Sequence, residues 1–193
     1  TDLDVTGDTT FNGDTNTFTS ANANDPVLII KNTTNDTNGS RLHFVKDKGA
    51  AGADGDDIGA LEFISDNAAQ EQTSFAKILA EVSESADTDE AGKLSFLVAE
   101  SNGSASQLTA GLVIEGEHAT DGEVDVTIAA GTASTTTVAG DLVVTTDATV
   151  GGTLGVTGVL TTTAGITSGS NIVSDTDSTD DLGTTSVRWA NLF

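Results

Sequence analysis

The segment ADGDDIG carries the densest set of metal-ligand side chains in the sequence. It places Asp54, Asp56 and Asp57 among glycines, and carboxylate oxygens on a flexible backbone are ligands that calcium prefers. The calcium-binding helix-loop-helix pattern also needs a bidentate glutamate at the twelfth loop position, where this chain has Ser65. The three aspartates are therefore candidate ligands only. We expect a solvated acidic turn, with no metal ion and no cofactor.

Catalytic constellations are poorly supported. The two histidines, His43 and His118, lie in different segments, and no G-x-S-x-G sequence is present to supply a nucleophilic serine. Two pairs of carboxylates have the residue types that glycosidases use, Glu115 with Glu117 and Asp180 with Asp181. A chain with 30 acidic residues contains such pairs by chance. The sequence therefore predicts a protein that is not an enzyme.

Composition and charge exclude several classes of partner. The 193 residues include 30 acidic and only seven basic side chains, for a net charge of -23. Binding to nucleic acid or to anionic membranes relies on lysine and arginine. We therefore expect neither partner, and the lack of a long apolar run predicts no membrane insertion. There is no cysteine, so disulfides do not contribute to stability.

The middle of the chain, residues 25–131, holds six of the seven basic residues and resembles a folded domain in its pattern. Seven short segments with alternating apolar residues predict strands, near 27–32, 40–47, 59–67, 74–83, 92–100, 110–117 and 123–131. Such a series is typical of an antiparallel β-sandwich or meander. Within 74–86 a helix is the alternative, because Phe75, Ile78, Leu79 and Val82 have helical spacing. The alternation of Ala76, Ile78, Ala80 and Val82 favours a strand.

The two flanking regions are rich in threonine and glycine and contain a repeat. Leu142, Leu154 and Ile166 are 12 residues apart, and LDVTGDTTFNG near the N-terminus aligns with LVVTTDATVGG from position 142. A repeat with so little apolar content has to find its core in other copies. The chain's single tryptophan, Trp189, follows the second repeat region. We expect it to be an interchain anchor, with a frayed tail as the alternative.

The last thirteen residues, DLGTTSVRWANLF, resemble the stretch that precedes the self-cleaving intramolecular chaperone of endosialidase type in bacteriophage tail fibres and tail spikes. The matching residues are Asp181, Leu182, Gly183, Arg188, Trp189, Asn191, Leu192 and Phe193. The phrases LDVTG and LGVTG are similar to the shaft repeats of the same fibres. The chaperone domain and its catalytic residues are not in this sequence, so no protease residues are carried over.

This resemblance implies an all-β, elongated homotrimer, with triple-stranded β-shaft segments flanking an antiparallel, sandwich-like knob. The divisions are an N-terminal shaft repeat at 1–24, the knob at 25–131, a repeat shaft at 132–180 and a pre-chaperone segment at 181–193. Arg188 would pair with Asp181 or stack on an indole. The candidate trimer-core residues are Leu3, Val5, Leu142, Val144, Leu154, Val156, Ile166, Trp189, Leu192 and Phe193.

The function implied is that of a structural virion protein, an extracellular tail-fibre segment for attachment to the host surface. Its implied partners are two further copies of itself, other tail or baseplate proteins, and a host-surface polysaccharide. Two alternatives stay open. One is a trimeric adhesin or extracellular filament subunit of a bacterial or archaeal cell. The other is a tail spike that binds or depolymerises polysaccharide.

Overall fold

The computed structural model of the chain describes residues 5–101, 103–118 and 122–169. These residues are all-β, with one five-stranded antiparallel sheet and no helix. The strands are β1 Asp57–Asp66, β2 Gln72–Glu84, β3 Ala91–Ser101, β4 Ser106–Gly116 and β5 Val124–Ile128. Each strand pairs with the next one along the chain, so the sheet is a meander in sequence order.

Polar side chains at the strand ends form the turns between the strands. After β1, the Asn67 side-chain oxygen accepts hydrogen bonds from the backbone N–H groups of Ala69 and Glu71, at 2.8 and 3.0 Å. Gln70 in the same turn has a φ of 63°. Asparagine side chains stabilise turns in this way because they substitute for a backbone acceptor. The Asn67 side chain thus closes the hairpin between β1 and β2.

The strand prediction for residues 74–83 is confirmed, and the helical alternative for this segment is wrong. β2 pairs along one edge with β1 and along the other with β3, so Ile78 lies opposite both Leu61 and Phe96. A strand with partners on both sides satisfies its backbone groups through the two ladders. The apolar residues at helical spacing are therefore distributed over both faces of the sheet.

Two predicted strands, at 27–32 and 40–47, are not formed. The first contains four successive exposed apolar residues, Val27 to Ile30, and pairs with no strand edge among the described residues. In the second, Phe44 packs on the face of β1 at Gly59, and its backbone does not extend the ladder along the β1 edge. Alternation alone does not make a strand, because a strand also needs an edge to pair with.

The described residues form a single layer. A sandwich or a meander was expected for the middle of the chain, and the described residues show the meander. The second sheet that a sandwich requires is not found among these residues. The chain divides into two compact units, Thr1–Ala139, which contains the sheet, and Gly140–Phe193. Within the described ranges there is no helix with the length and apolarity to span a bilayer.

Candidate interaction surface

One face of the sheet is free of charged side chains over four successive rungs, and we call it the apolar face. Residues directly opposite each other on paired strands point to the same side of a sheet. The four rungs are Val82, Gly92, Gly116 and Val124; Gly59, Ala80, Leu94, Ile114 and Val126; Leu61, Ile78, Phe96, Leu112 and Ile128; and Phe63, Ala76, Val98 and Thr109. Apolar residues that alternate along a strand, such as Leu94 and Phe96, therefore share this face.

Within a single chain Phe44 covers the apolar face at Gly59, and much of the rest of this face is open to solvent. No hydrophobic residue is buried in the part of the chain that the structure describes, and the only buried residue there is Ser95, at 5% exposure. Phe96, on the central strand, is 37% exposed, and Val126, on the edge strand, is 57% exposed. Contiguous exposed apolar surface of this kind marks a site of interaction with another molecule.

The opposite face carries a row of ionisable side chains that crosses all five strands, which we call the charged rung. It consists of Asp57, Glu81, Lys93, Glu115 and Asp125. Lys93 is its single cation, and its ammonium lies 3.2 Å from the Glu81 carboxylate. Glu115, on the other side of Lys93, also accepts a hydrogen bond from the Ser83 hydroxyl. Lys93 therefore lies between two pairs of carboxylates, Asp57 with Glu81 on one side and Glu115 with Asp125 on the other.

The acidic turn at 53–59 is held together by its own aspartates. The Asp54 carboxylate accepts hydrogen bonds from the Ser85 backbone N–H and hydroxyl, at 2.9 and 2.8 Å. Asp56 lies 2.7 Å from the Lys48 ammonium and accepts a hydrogen bond from the Ala53 N–H at 2.9 Å. These two donors, with Lys48 the stronger, hold the pKa of Asp56 below its ordinary value.

These contacts explain the turn without a metal ion. Asp57 lies on β1, in the charged rung and opposite Glu81, so the three candidate ligands have different neighbours. No cluster of three acidic or histidine side chains with metal-binding geometry occurs in the described ranges. Asp54 and Asp56 thus each have hydrogen-bond donors of this chain as partners, and Lys48 supplies the charge opposite Asp56.

The other candidate chemical residues are not brought together. His118 faces Asp89, with 3.5 Å between its ring nitrogen and the carboxylate, and Glu84 at 3.9 Å. His43 is exposed in the segment that forms no strand. Glu115 belongs to the charged rung, whereas Glu117 follows the end of β4. Asp180 and Asp181 lie outside the described residues.

A depression of about 560 Å³ lies at one end of the apolar face, where Val98 and Thr109 line it together with residues of the segment that follows β5. The hairpin of β3 and β4 contributes both apolar and polar residues to it, and Glu100 accepts a hydrogen bond from Gln107 at 2.7 Å. Its lining contains no aromatic ring. Carbohydrate platforms rely on such rings, so this depression gives the polysaccharide alternatives no specific support.

A second candidate surface is the repeat that begins near residue 139. The chain bends at 139–140, 145–146, 151–152, 157–158 and 163–164, so the bends recur every six residues, with four extended residues between them. Near the N-terminus, bends at 7 and at 13–14 have the same spacing. The 12-residue interval between leucines is therefore two structural repeats of six, with Ala148 and Leu160 at the intervening positions.

The six-residue repeat aligns apolar side chains in two columns. The last residue of successive repeats is Val144, Val150 and Val156, each 47–51% exposed. Two residues earlier stand the leucines and isoleucine, including Leu142, Leu154 and Ile166, which are 58–73% exposed. No strand ladder forms among the described residues of this region. Among the residues that the structure describes, both columns are therefore exposed and without a paired strand.

The candidate trimer-core residues divide between described and undescribed parts of the chain. Val5, Leu142, Val144, Leu154, Val156 and Ile166 are all exposed in the single chain. Leu3, Arg188, Trp189, Leu192 and Phe193 lie outside the described residues, as does the whole pre-chaperone segment.

Sequence reasoning missed the six-residue period and the charged rung. The six-residue period is detectable in the sequence, because Gly151-Gly152 and Thr157-Gly158 are six residues apart between apolar residues. The charged rung has no such signal in the sequence, because the residues of a rung are brought together by the register between strands.

Scans against protein-family models, curated proteins and solved structures found no match to this chain.

Proposed function

We propose that this chain is a structural segment of a homotrimeric fibre, whose role is mechanical reach and attachment to a cell surface. The observation that carries the proposal is the pair of apolar columns in the six-residue repeat. Leu142 with Val144 and Leu154 with Val156 fill both columns, Leu160 and Ile166 continue the first column, and all of them are exposed with no paired strand among the described residues. Three copies around a common axis bury each such side chain against its two symmetry mates.

The chemistry of the chain agrees with a structural role. Candidate catalytic side chains lie apart, and the acidic turn is satisfied by Lys48, Ala53 and Ser85. A net charge of -23 disfavours acidic polysaccharide as a substrate, because the chain repels it. These features support attachment and assembly over catalysis.

The resemblance of DLGTTSVRWANLF to pre-chaperone sequences supports a more specific proposal, a bacteriophage tail fibre in the virion, assembled with other tail or baseplate proteins. A trimeric cell-surface adhesin would use the same β architecture. Genome neighbourhood separates the two, since tail and baseplate genes around the coding sequence support the fibre and secretion genes support the adhesin.

The decisive experiment on the fibre proposal is the solution mass by light scattering. Three copies of the 19.4 kDa chain have a mass of about 58 kDa. A particle of that mass that persists on dilution is the expected result. A monodisperse particle of 19.4 kDa would overturn the proposal, because the aliphatic columns would then be exposed in the native protein.

A further inference from the structure

We propose that the apolar face of the sheet packs against the same face of two further copies of this chain, so that the three sheets enclose a common core. This inference rests on the proposed trimer. It specifies which surface of the sheet-containing unit faces the threefold axis. The occupant of the face is a second and a third copy of the chain. It is neither a ligand nor a different protein.

Charge distribution selects this face. Its four rungs carry no ionisable side chain. The opposite face carries the charged rung and, on the next charged row, Glu62 opposite Lys77. Four carboxylates and one ammonium in the charged rung give each copy a net negative row. Symmetry would place three such rows together if that face were turned inward, and like-charge repulsion with desolvation would oppose the contact.

The extent of the face agrees with a stable interface. Five strands make it about 24 Å wide, and four rungs make it about 27 Å long, so its plan area is on the order of 600 Å². The side chains standing on it add further accessible surface. A stable interface buries on the order of 800 Å² per partner. The face is therefore of suitable size for close packing between copies.

The order of side chains across the sheet fits a threefold arrangement. Three sheets about 24 Å wide, arranged as the sides of a triangular prism, lie about 7 Å from the axis at their centres, somewhat more than half the usual spacing of about 10 Å between packed sheets. The central strand β3 contributes Leu94 and Phe96 at that position. Ile78 and Leu112 flank Phe96 on the neighbouring strands. In this arrangement large apolar side chains therefore lie nearest the axis, where they fill the space between the three sheets.

The absence of cysteine from the chain allows a direct test. Val126→Cys places a thiol on the apolar face, and Thr127→Cys places one on the opposite face of the same strand. Both wild-type residues are exposed in the single chain. In a monomer the labelling reagent would therefore reach the two thiols equally well. Light scattering first establishes the mass of each variant, and the rate of maleimide labelling is then measured under native conditions and in denaturant.

The expected result is a trimer in which Val126→Cys is labelled at least about tenfold more slowly than Thr127→Cys, with equal rates once the chains are unfolded. A trimer that labels both thiols at the same native rate would overturn this inference and leave the fibre proposal standing. A monomer for both variants and for the wild type would overturn the two together.

A second pair of variants covers the case in which the Val126→Cys chain alone fails to assemble. Val126→Asp and Thr127→Asp add the same charge to opposite faces of β5. We expect Val126→Asp to lower the temperature at which the trimer dissociates, and Thr127→Asp to leave it near the wild-type value. Equal effects of the two substitutions would contradict the assignment of the face.

Discussion

Phe44 lies directly against the backbone of Gly59, so that a Cβ atom at position 59 would stand 2.7 Å from the Cβ of Phe44 and 2.9 Å from its Cγ. Real Cβ atoms do not approach side-chain carbons this closely. The contact attaches the 40–47 segment to β1, although that segment forms no strand. Gly59 therefore has a packing role on the apolar face, which the ring of Phe44 extends.

Gly59→Ala is expected to displace the 40–47 segment from the sheet. The added methyl group meets the Phe44 side chain close to the backbone, so rotation of the ring alone does not relieve the clash, and overpacking of this kind costs about 1 kcal/mol or more. Trypsin should then cleave faster at Arg41 and Lys46, which flank Phe44. The initial cleavage rate, followed by mass spectrometry, measures the effect.

The matched control for this variant is Gly111→Ala on β4, because no atom lies within 4 Å of a Cβ at that position. Its cleavage rate should equal that of the wild type. Phe44→Ala should reproduce the faster cleavage. An unchanged rate in Gly59→Ala would mean that the contact does not hold the segment in place.

Lys48→Met is expected to raise the pKa of Asp56 toward its ordinary value of 3.8. The hydrogen bond from Lys48 is the main cause of the lowered pKa, and the Ala53 N–H keeps part of the effect. Because the pKa is lowered on folding, the interaction stabilises the turn above the ordinary pKa and is lost as pH falls through the lowered one. A titration of the Asp56 side-chain carbon by NMR measures the change.

Lys46→Met is the appropriate comparison, since Lys46 affects Asp56 only through a weaker charge interaction. It should raise the pKa of Asp56 by less than Lys48→Met does. If both variants gave the wild-type titration curve, the ion pair between Lys48 and Asp56 would be absent in solution.

Lys93→Met is expected to destabilise the sheet through the charged rung. Removal of the single cation leaves Glu81 and Glu115 without the charge between them, at a cost of about 1 kcal/mol that decreases with added salt. Chemical denaturation at low and high salt measures this free energy. Adding Glu81→Gln to the variant should recover part of the loss, and failure of this recovery at low salt would show that charge is not the cause.

Val150→Asp is expected to weaken the trimer through the six-residue repeat. In the proposed assembly three copies of the valine column meet, so the variant brings three carboxylates together away from water, at a cost of at least about 2 kcal/mol. Thr149→Asp adds the same charge one residue earlier, outside both apolar columns. The measurement is the mass on serial dilution, with dissociation expected only for Val150→Asp. Equal behaviour of the two variants would place the column outside the interface.

Predictions based on local alternation succeeded in the sheet and failed just before it. All five strands from β1 to β5 were predicted, and pairs such as Leu94 with Phe96 share a face because a strand sends alternate residues to opposite sides. The 40–47 segment has the same alternation but no edge on which to pair. Of the two expected arrangements, sandwich or meander, the described residues show the meander, and the segments at 27–32 and 40–47 add no strand to it.

The sequence by itself determined the all-β class and the positions of the five strands that form, because the period of apolar residues and the polar turns are local properties. That the segments at 27–32 and 40–47 form no strand was decided by the tertiary structure. The tertiary structure alone decided that Asp57, Glu81, Lys93, Glu115 and Asp125 form one row, and that the opposite face is uncharged over four rungs. Register depends on turn lengths and on bulges such as the one between Phe63 and Ile64, and a slip of one residue would exchange the two faces of a strand. The uncharged face is consequently a product of pairing between residues that are distant in the sequence.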